Sequence, residues 1–397
     1  MVARRELTFL FAAVAGAVAL GIAASGATAG ARDNSPIKIG SITILSGPVS
    51  VIGLDTVRGA QLEADYINAH GGVLGRTIEL ISMDDANTPS LALESATKLI
   101  QDEHVVGLLG PTNSVSALAI QKLVDQAKVP EALYTSGANE VTASGSLYVF
   151  RTVPALDYGY DALATYLFKS RHLRKIAYIG WNLAAGTTAL NGLKVAAQQN
   201  SGVQIVSSQQ LPLTTQDFLG AIAQAKASNP DVVIIGAPMP FAGVVAKQIR
   251  DSGWNVPIGE HGGFVTHDFG AFLGSNADGI VMADNGHWRS ATTRKMGRAF
   301  INAFHAKYHR PPNANELVGA DALGALVAGI KKARSTDGDK IQQALHSLSY
   351  NGLRLAAQWD KAGNLRHFPI PVVVWRSQGK ALDMLSPNVF PIIGKKK

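Results

Sequence analysis

From Ile37 onward the apolar residues follow two alternating arrangements, short unbroken runs and longer stretches where they recur every three or four positions. The run "IKIGSITI" (37–44) reads as a buried strand. After the turn-rich "LSGPVSVIG" a helix is predicted from Leu54, with Val57, Ala60, Ala64 and Ile67 on one face. Gly71 and Gly72 stop it, because glycine tolerates the left-handed backbone that helix ends use, and Gly75 turns the chain into the strand "TIELISM". Thr88 and Pro89 open the next helix as cap and first residue.

The alternation continues with the strand "VVGLLG", a helix over 114–127, and the strands "EALYT" and "YVFRTV". A helix from Asp157 to about Lys169 follows. The strands "KIAYIG", "VQIVSSQQ" and "DVVIIGA" are separated by helices near 187–199 and 217–228. Phe241–Ser252 is a helix and "GIVMA" a strand. Helices at about 292–308, 314–333 and 337–348 follow, and "LRLAAQWD" and "FPIPVVVWRS" close the chain as strands.

Continuous apolar strands between amphipathic helices imply parallel sheets covered on both faces. The alternation pauses near 150–156 and then restarts, so the expected architecture is α/β with two lobes. Ligands in such sheets sit beyond the carboxyl ends of the strands. That nominates the loops beginning at Ser46, Asp84, Gly110, Thr135, Trp181, Gly236 and Gly259. Asp84 and Asp85 are expected at the rim, where they also suit capping of the following helix.

The first residues have a different pattern. Arg4 and Arg5 precede an almost wholly apolar stretch over 7–24, and "ATA" ends at Ala29. This is the pattern of a cleaved export signal over 1–29, with "AGA" ending at Ala31 as second choice and a retained anchor as the alternative. No other stretch is long and apolar enough to span a bilayer. The absence of cysteine excludes disulfides, thiol catalysis and cysteine-ligated metals. The net charge of +7 over 397 residues comes from scattered cations, without the basic stripe that nucleic-acid binding requires. No Gly-x-Ser-x-Gly elbow, His-Glu-x-x-His or phosphate-cradling loop occurs, so no enzyme, cofactor or metal site is expected.

Three stretches together carry a family resemblance: Ser46–Pro48, the helix end "INAHGG" (67–72), and the strand ending in Asp84–Asp85. With "VVGLLGPTNSVSALAI", "FRTVPALD" and "NPDVVIIGA" in order, the chain resembles periplasmic binding proteins for branched-chain and other hydrophobic amino acids, which feed ABC importers. The resemblance implies two Rossmann-like lobes joined by three hinge crossovers near 155, 284 and 363. The lobes would be 36–155 with 284–362, and 156–283 with 363–397. It further implies a monomer closing on a small ligand and presenting it to a membrane permease, with a soluble chemosensory receptor as the alternative.

By the same resemblance the first lobe holds a ligand carboxylate near Gly110–Ser114 and Thr135–Gly137, using Thr112, Asn113, Ser114, Thr135 and Ser136 as donors, with Ser46 in the adjoining loop. In the second lobe the sequence departs from the amino-acid binders. His261 stands where a carboxylate usually meets the ligand ammonium, and Glu260 is one residue before it, so a one-residue shift restores the acid. Family aromatic positions correspond to Ile52, Ala185 and Pro238, while Trp181, His287 and Trp288 offer flat surface elsewhere. That exchange suits a bulky or aromatic acid without an α-ammonium, with a branched-chain amino acid as the alternative.

Overall fold

The structure, a computed structural model, describes residues 34–389 apart from 213, 238, 263–266, 355 and 367. The proposed export signal at 1–29 and Pro238 lie outside the described residues.

The first sheet has strand order β2-β1-β3-β4-β5 and is parallel throughout. Its strands are β1 (Ile37–Thr43), β2 (Ile78–Asp84), β3 (Leu108–Leu109), β4 (Glu131–Leu133) and β5 (Val149–Arg151). Between them run α1 (Ser50–Ala69), α2 (Pro89–Gln101), α3 (Ser114–Ala127) and the short α4 (Glu140–Ala143). Helix α1 begins four residues before the predicted start. Gly71 and Gly72 end it with φ of 91° and 69°, as the pattern required. Thr88 and Pro89 hold the expected places at the start of α2.

The chain then crosses to the second sheet through α5 (Leu156–Arg171). There β6 (Lys175–Trp181), α6 (Ala184–Gln199), β7 (Gln204–Leu211), α7 (Leu219–Ala227), β8 (Val232–Gly236), α8 (Phe241–Asp251), β9 (Ile258–Gly262), α9 (His267–Leu273) and β10 (Val281–Asp284) follow. A second crossing leads to α10 (Trp288–Ala291), α11 (Lys295–Tyr308), α12 (Ala314–Ala333) and α13 (Gly338–His346). Helix α12 packs on α1 and covers the first sheet. At their closest approach a Cβ on Gly59 would lie 1.8 Å from Glu316 O, so only glycine lets the two backbones meet there.

After the ribbon β11 (Tyr350–Asn351) and β12 (Ala356–Ala357), a third crossing returns the chain as β13 (Ile370–Arg376) and β14 (Ala381–Val389). The second sheet has order β14-β13-β10-β9-β8-β6-β7. Two expectations change here. "LRLAAQWD" contributes only the two-residue β12 and joins neither main sheet. β14 was not predicted, and it pairs antiparallel with β13, which itself pairs antiparallel with β10. β14 is an edge strand with one neighbour, so it needs no unbroken apolar run and its pattern is weak.

Candidate functional site

Beyond the carboxyl ends of both sheets lies a cleft enclosing about 920 Å³ of empty space, counted out to its mouth. The first sheet contributes Ile44 after β1, Thr112, Asn113 and Ser114 after β3, and Thr135 and Gly137 after β4. The second contributes Trp181 at the end of β6, Gly236 and Ala237 at the end of β8, His261 on β9 and Asn285 after β10. Ile52 of α1, Tyr160 of α5 and Ala185 of α6 complete the walls. Among the described lining residues there is no Asp, Glu, Lys or Arg.

The first wall offers hydroxyls and a helix start, with no cation among its described residues. Asn113 is the N-cap of α3, its side chain accepting from Ser116 N at 2.7 Å and donating to Asn87 Oδ1 at 2.8 Å. The N–H groups at the start of this fourteen-residue helix have no partner within it and give that end a partial positive charge. Ser114 lines the cleft, and its Oγ accepts from Ala138 N at 3.0 Å, which leaves its hydroxyl proton available to donate. Thr112 shares a hydroxyl–hydroxyl hydrogen bond with Thr43. Thr135 donates its proton to Thr112 O at 2.8 Å and therefore supports the loop as well as lining it.

The second wall is neutral. His261 is buried, with Nδ1 2.9 Å from Ala283 O. A carbonyl can only accept, so Nδ1 carries the proton and Nε2 has the lone pair. Burial pulls the imidazole pKa down to about 4, so the ring is uncharged at neutral pH. Its edge meets Tyr160, with ring centroids 5.2 Å apart. A Cβ on Gly159 would fall 2.0 Å from His261 Nε2. We expect Gly159→Ala to push the ring from this seat. It should cost roughly 1–3 kcal/mol of stability by overpacking and weaken ligand binding about tenfold, read by thermal melting and calorimetry. An unchanged affinity would show that the ring's position does not matter to the ligand.

The choice between His261 and Glu260 is decided by strand alternation. Ile258 and Glu260 share the face that packs with Ile235 and Met282. Gly259 and His261 face α5, since a Cβ on Gly259 would touch Leu163 and Leu167. Glu260 is therefore buried away from the cleft. Burial first, and then the Asp284 carboxyl, raise its pKa well above the ordinary carboxylate range. Trp181 serves both core and cleft, lying edge-on to Phe241 with centroids 5.2 Å apart.

Five residues assigned from the sequence do not line the cleft. Ser46 is exposed and hydrogen-bonds Asp84, whose carboxylate also accepts from Leu45 N at 2.8 Å. Gly110, at φ 88°, is there for close approach: a Cβ would sit 2.1 Å from Ile42 O. Ser136 is turned inward, donating to Pro111 O at 2.7 Å. His287 and Trp288 line a separate cavity with Asp284, Pro311–Ala314 and Lys380–Leu382. The chain turns away after Asn285, so His287 accepts from Arg289 N at 3.2 Å and stacks on Trp288 behind the second crossing. Conversely, Asn285, Tyr160 and Asn87 line the cleft without having been assigned to it. The strand-end rule applied to β10 would have found Asn285. Tyr160, inside a helix, gave no signal.

Residues 36–380 match the family described as Periplasmic binding protein. The chain belongs to that family. A Leu/Ile/Val-binding protein from Rhizobium johnstonii is 28% identical over 328 residues, covering 80% of this chain and 88% of that one. A leucine-binding protein from Thermotoga maritima superposes with a TM-score of 0.81 at 22% identity, covering 88% of this chain and 98% of its own. A solute-binding protein of an ABC transporter from R. palustris, solved with benzoate, gives 0.79 at 25% identity, covering 90% and 97%. This binding protein is thus a substrate-binding component of the ABC-importer type, in a non-enzymatic family that takes up small molecules for a permease. No helix among its described residues is long and apolar enough to cross a membrane.

Proposed function

We propose that this binding protein, exported by its cleaved leader, closes on an aromatic or similarly bulky organic acid that lacks an α-ammonium and delivers it to an inner-membrane permease. The observation that carries this reading is the uncharged cleft. A ligand carboxylate is served by Ser114, Thr112 and the start of α3, which need no counter-ion. An α-ammonium would meet neutral His261 in place of a carboxylate. Burying an ammonium without a partner costs several kcal/mol, about a hundredfold or more in affinity.

The rest of the wall suits a flat apolar body, with Trp181, Tyr160 and Ile52 around the space beside small Ala185. Trp181 and Asn285 also add neutral polar side chains to this wall. The benzoate-bound R. palustris neighbour supports the same class. Titration calorimetry with benzoate and with leucine tests the reading. Benzoate should bind at least about a hundredfold more tightly than leucine. Tight binding of leucine with none of benzoate would return the protein to the amino-acid binders.

A further inference from the structure

All three crossings of the chain between its sheets meet at one buried side chain. Arg354 lies between β11 and β12, in the part of the chain that covers the first sheet. Its guanidinium Nε stands 3.1 Å from Asp321 Oδ2 of α12, and both side chains are buried. Asp321 is itself fixed, accepting from Leu353 N at 2.7 Å and from the Tyr350 hydroxyl at 3.1 Å. The guanidinium is thereby anchored to the first lobe.

The two terminal nitrogens point elsewhere. Nη2 donates to Thr152 O in the first crossing, and Nη1 donates to Asn285 O in the second. The guanidinium carbon lies 5.7 Å from the centre of the Phe368 ring, in the third crossing. The second crossing passes so close that a Cβ on Gly286 would be 2.4 Å from Arg354 Cδ. Asn285 lines the cleft, and so does Val153, the residue after Thr152.

We propose that Arg354 is the pivot of lobe closure, a positioning residue that holds the first two crossings at a set spacing against the first lobe. A purely structural ion pair would satisfy its donors within one lobe. Here the anchor is in one lobe, while both free arms of the planar fork hold carbonyls of the two crossing segments, just past the ends of β5 and β10, whose backbone must turn when the lobes move. Two carbonyls at set directions require that fork, and a lysine ammonium on a flexible stem does not reproduce it. The crossings are also where backbone rotation is absorbed during a hinge motion. Fixing their spacing restricts that rotation to one path.

The absence of cysteine makes the test direct. Cysteines introduced at exposed Leu118 on α3 and Leu219 on α7 carry a donor and an acceptor dye, and single-molecule energy transfer reads the interlobe distance without ligand. Wild type should give one narrow distance distribution. Arg354→Met should broaden it and shift its mean, and Arg354→Lys should fall between. Ile39→Ala, which opens the core of the first sheet, should lower the melting temperature and leave the distribution as in wild type. If Arg354→Met does not fold, Arg354→Lys against Ile39→Ala decides alone. A wild-type distribution in every Arg354 variant that folds would reduce the residue to a core ion pair and overturn the proposal. Because no ligand is present, this outcome is independent of which acid the cleft takes.

Discussion

Replacing His261 with aspartate should invert the ligand preference. The cleft has no charged lining residue among those described, so one carboxylate on β9 would dominate its field. A ligand α-ammonium gains the counter-charge it otherwise lacks, and a purely anionic ligand meets a like charge in a poorly solvated space. Such juxtaposition costs several kcal/mol, so benzoate affinity should fall about a hundredfold or more, with leucine affinity rising about tenfold or more. His261→Asn, neutral and similar in reach, separates charge from shape and should leave leucine excluded. Calorimetry with both ligands on both variants checks this. Unchanged affinities in the aspartate variant would mean that residue 261 does not face the ligand and that specificity comes from elsewhere.

The second large effect is on the loop that carries Thr135 and Gly137. Arg151 is completely buried, and its terminal nitrogens donate to Ser136 O and Ala138 O. Its Nε donates to Asn364 Oδ1 at 3.0 Å, and its backbone N–H to Gly363 O at 2.9 Å. Trp359 Nε1 closes the arrangement on Arg151 O at 2.7 Å. Burial lowers the guanidinium pKa to about 10, so it is still charged at neutral pH. Arg151→Met keeps the apolar stem and removes every side-chain donor. Ser136 O then loses its Arg151 donor and Ala138 O keeps Val141 N at 3.3 Å, for a loss of about 1–3 kcal/mol in urea unfolding. Benzoate affinity should drop about tenfold as the loop loosens, since Gly137 and Thr135 line the cleft. A wild-type urea midpoint would show that these carbonyls find other donors.

Both variants act on residues whose roles differ in how far they could be read from the chain. The strand and helix alternation, the Gly71–Gly72 stop and the Thr88–Pro89 start are local properties, set by period, by glycine's freedom and by proline's missing N–H. The hydroxyl-rich loops after β3 and β4 were also legible, because adjacent parallel strands bring their carboxyl ends to one edge wherever the lobes sit. The sequence by itself therefore determined the layering and the edge of each sheet that carries the cleft.

Tertiary structure alone decided the rest. Whether Glu260 or His261 faces the cleft depends on which face of β9 meets α5, and a shift of one residue exchanges them. His287 and Trp288 left the site because the chain turns behind the second crossing, a direction that no residue between Asp284 and Trp288 announces. β14 exists because β13 offers it an edge. Arg151 and Arg354 look like ordinary surface cations in one dimension; their roles come from carbonyls and rings as far as 213 positions away, as with Arg151 and Asn364. Period and backbone freedom act between neighbours in sequence and can be read there. The satisfaction of buried polar groups acts between neighbours in space, which only the folded chain defines.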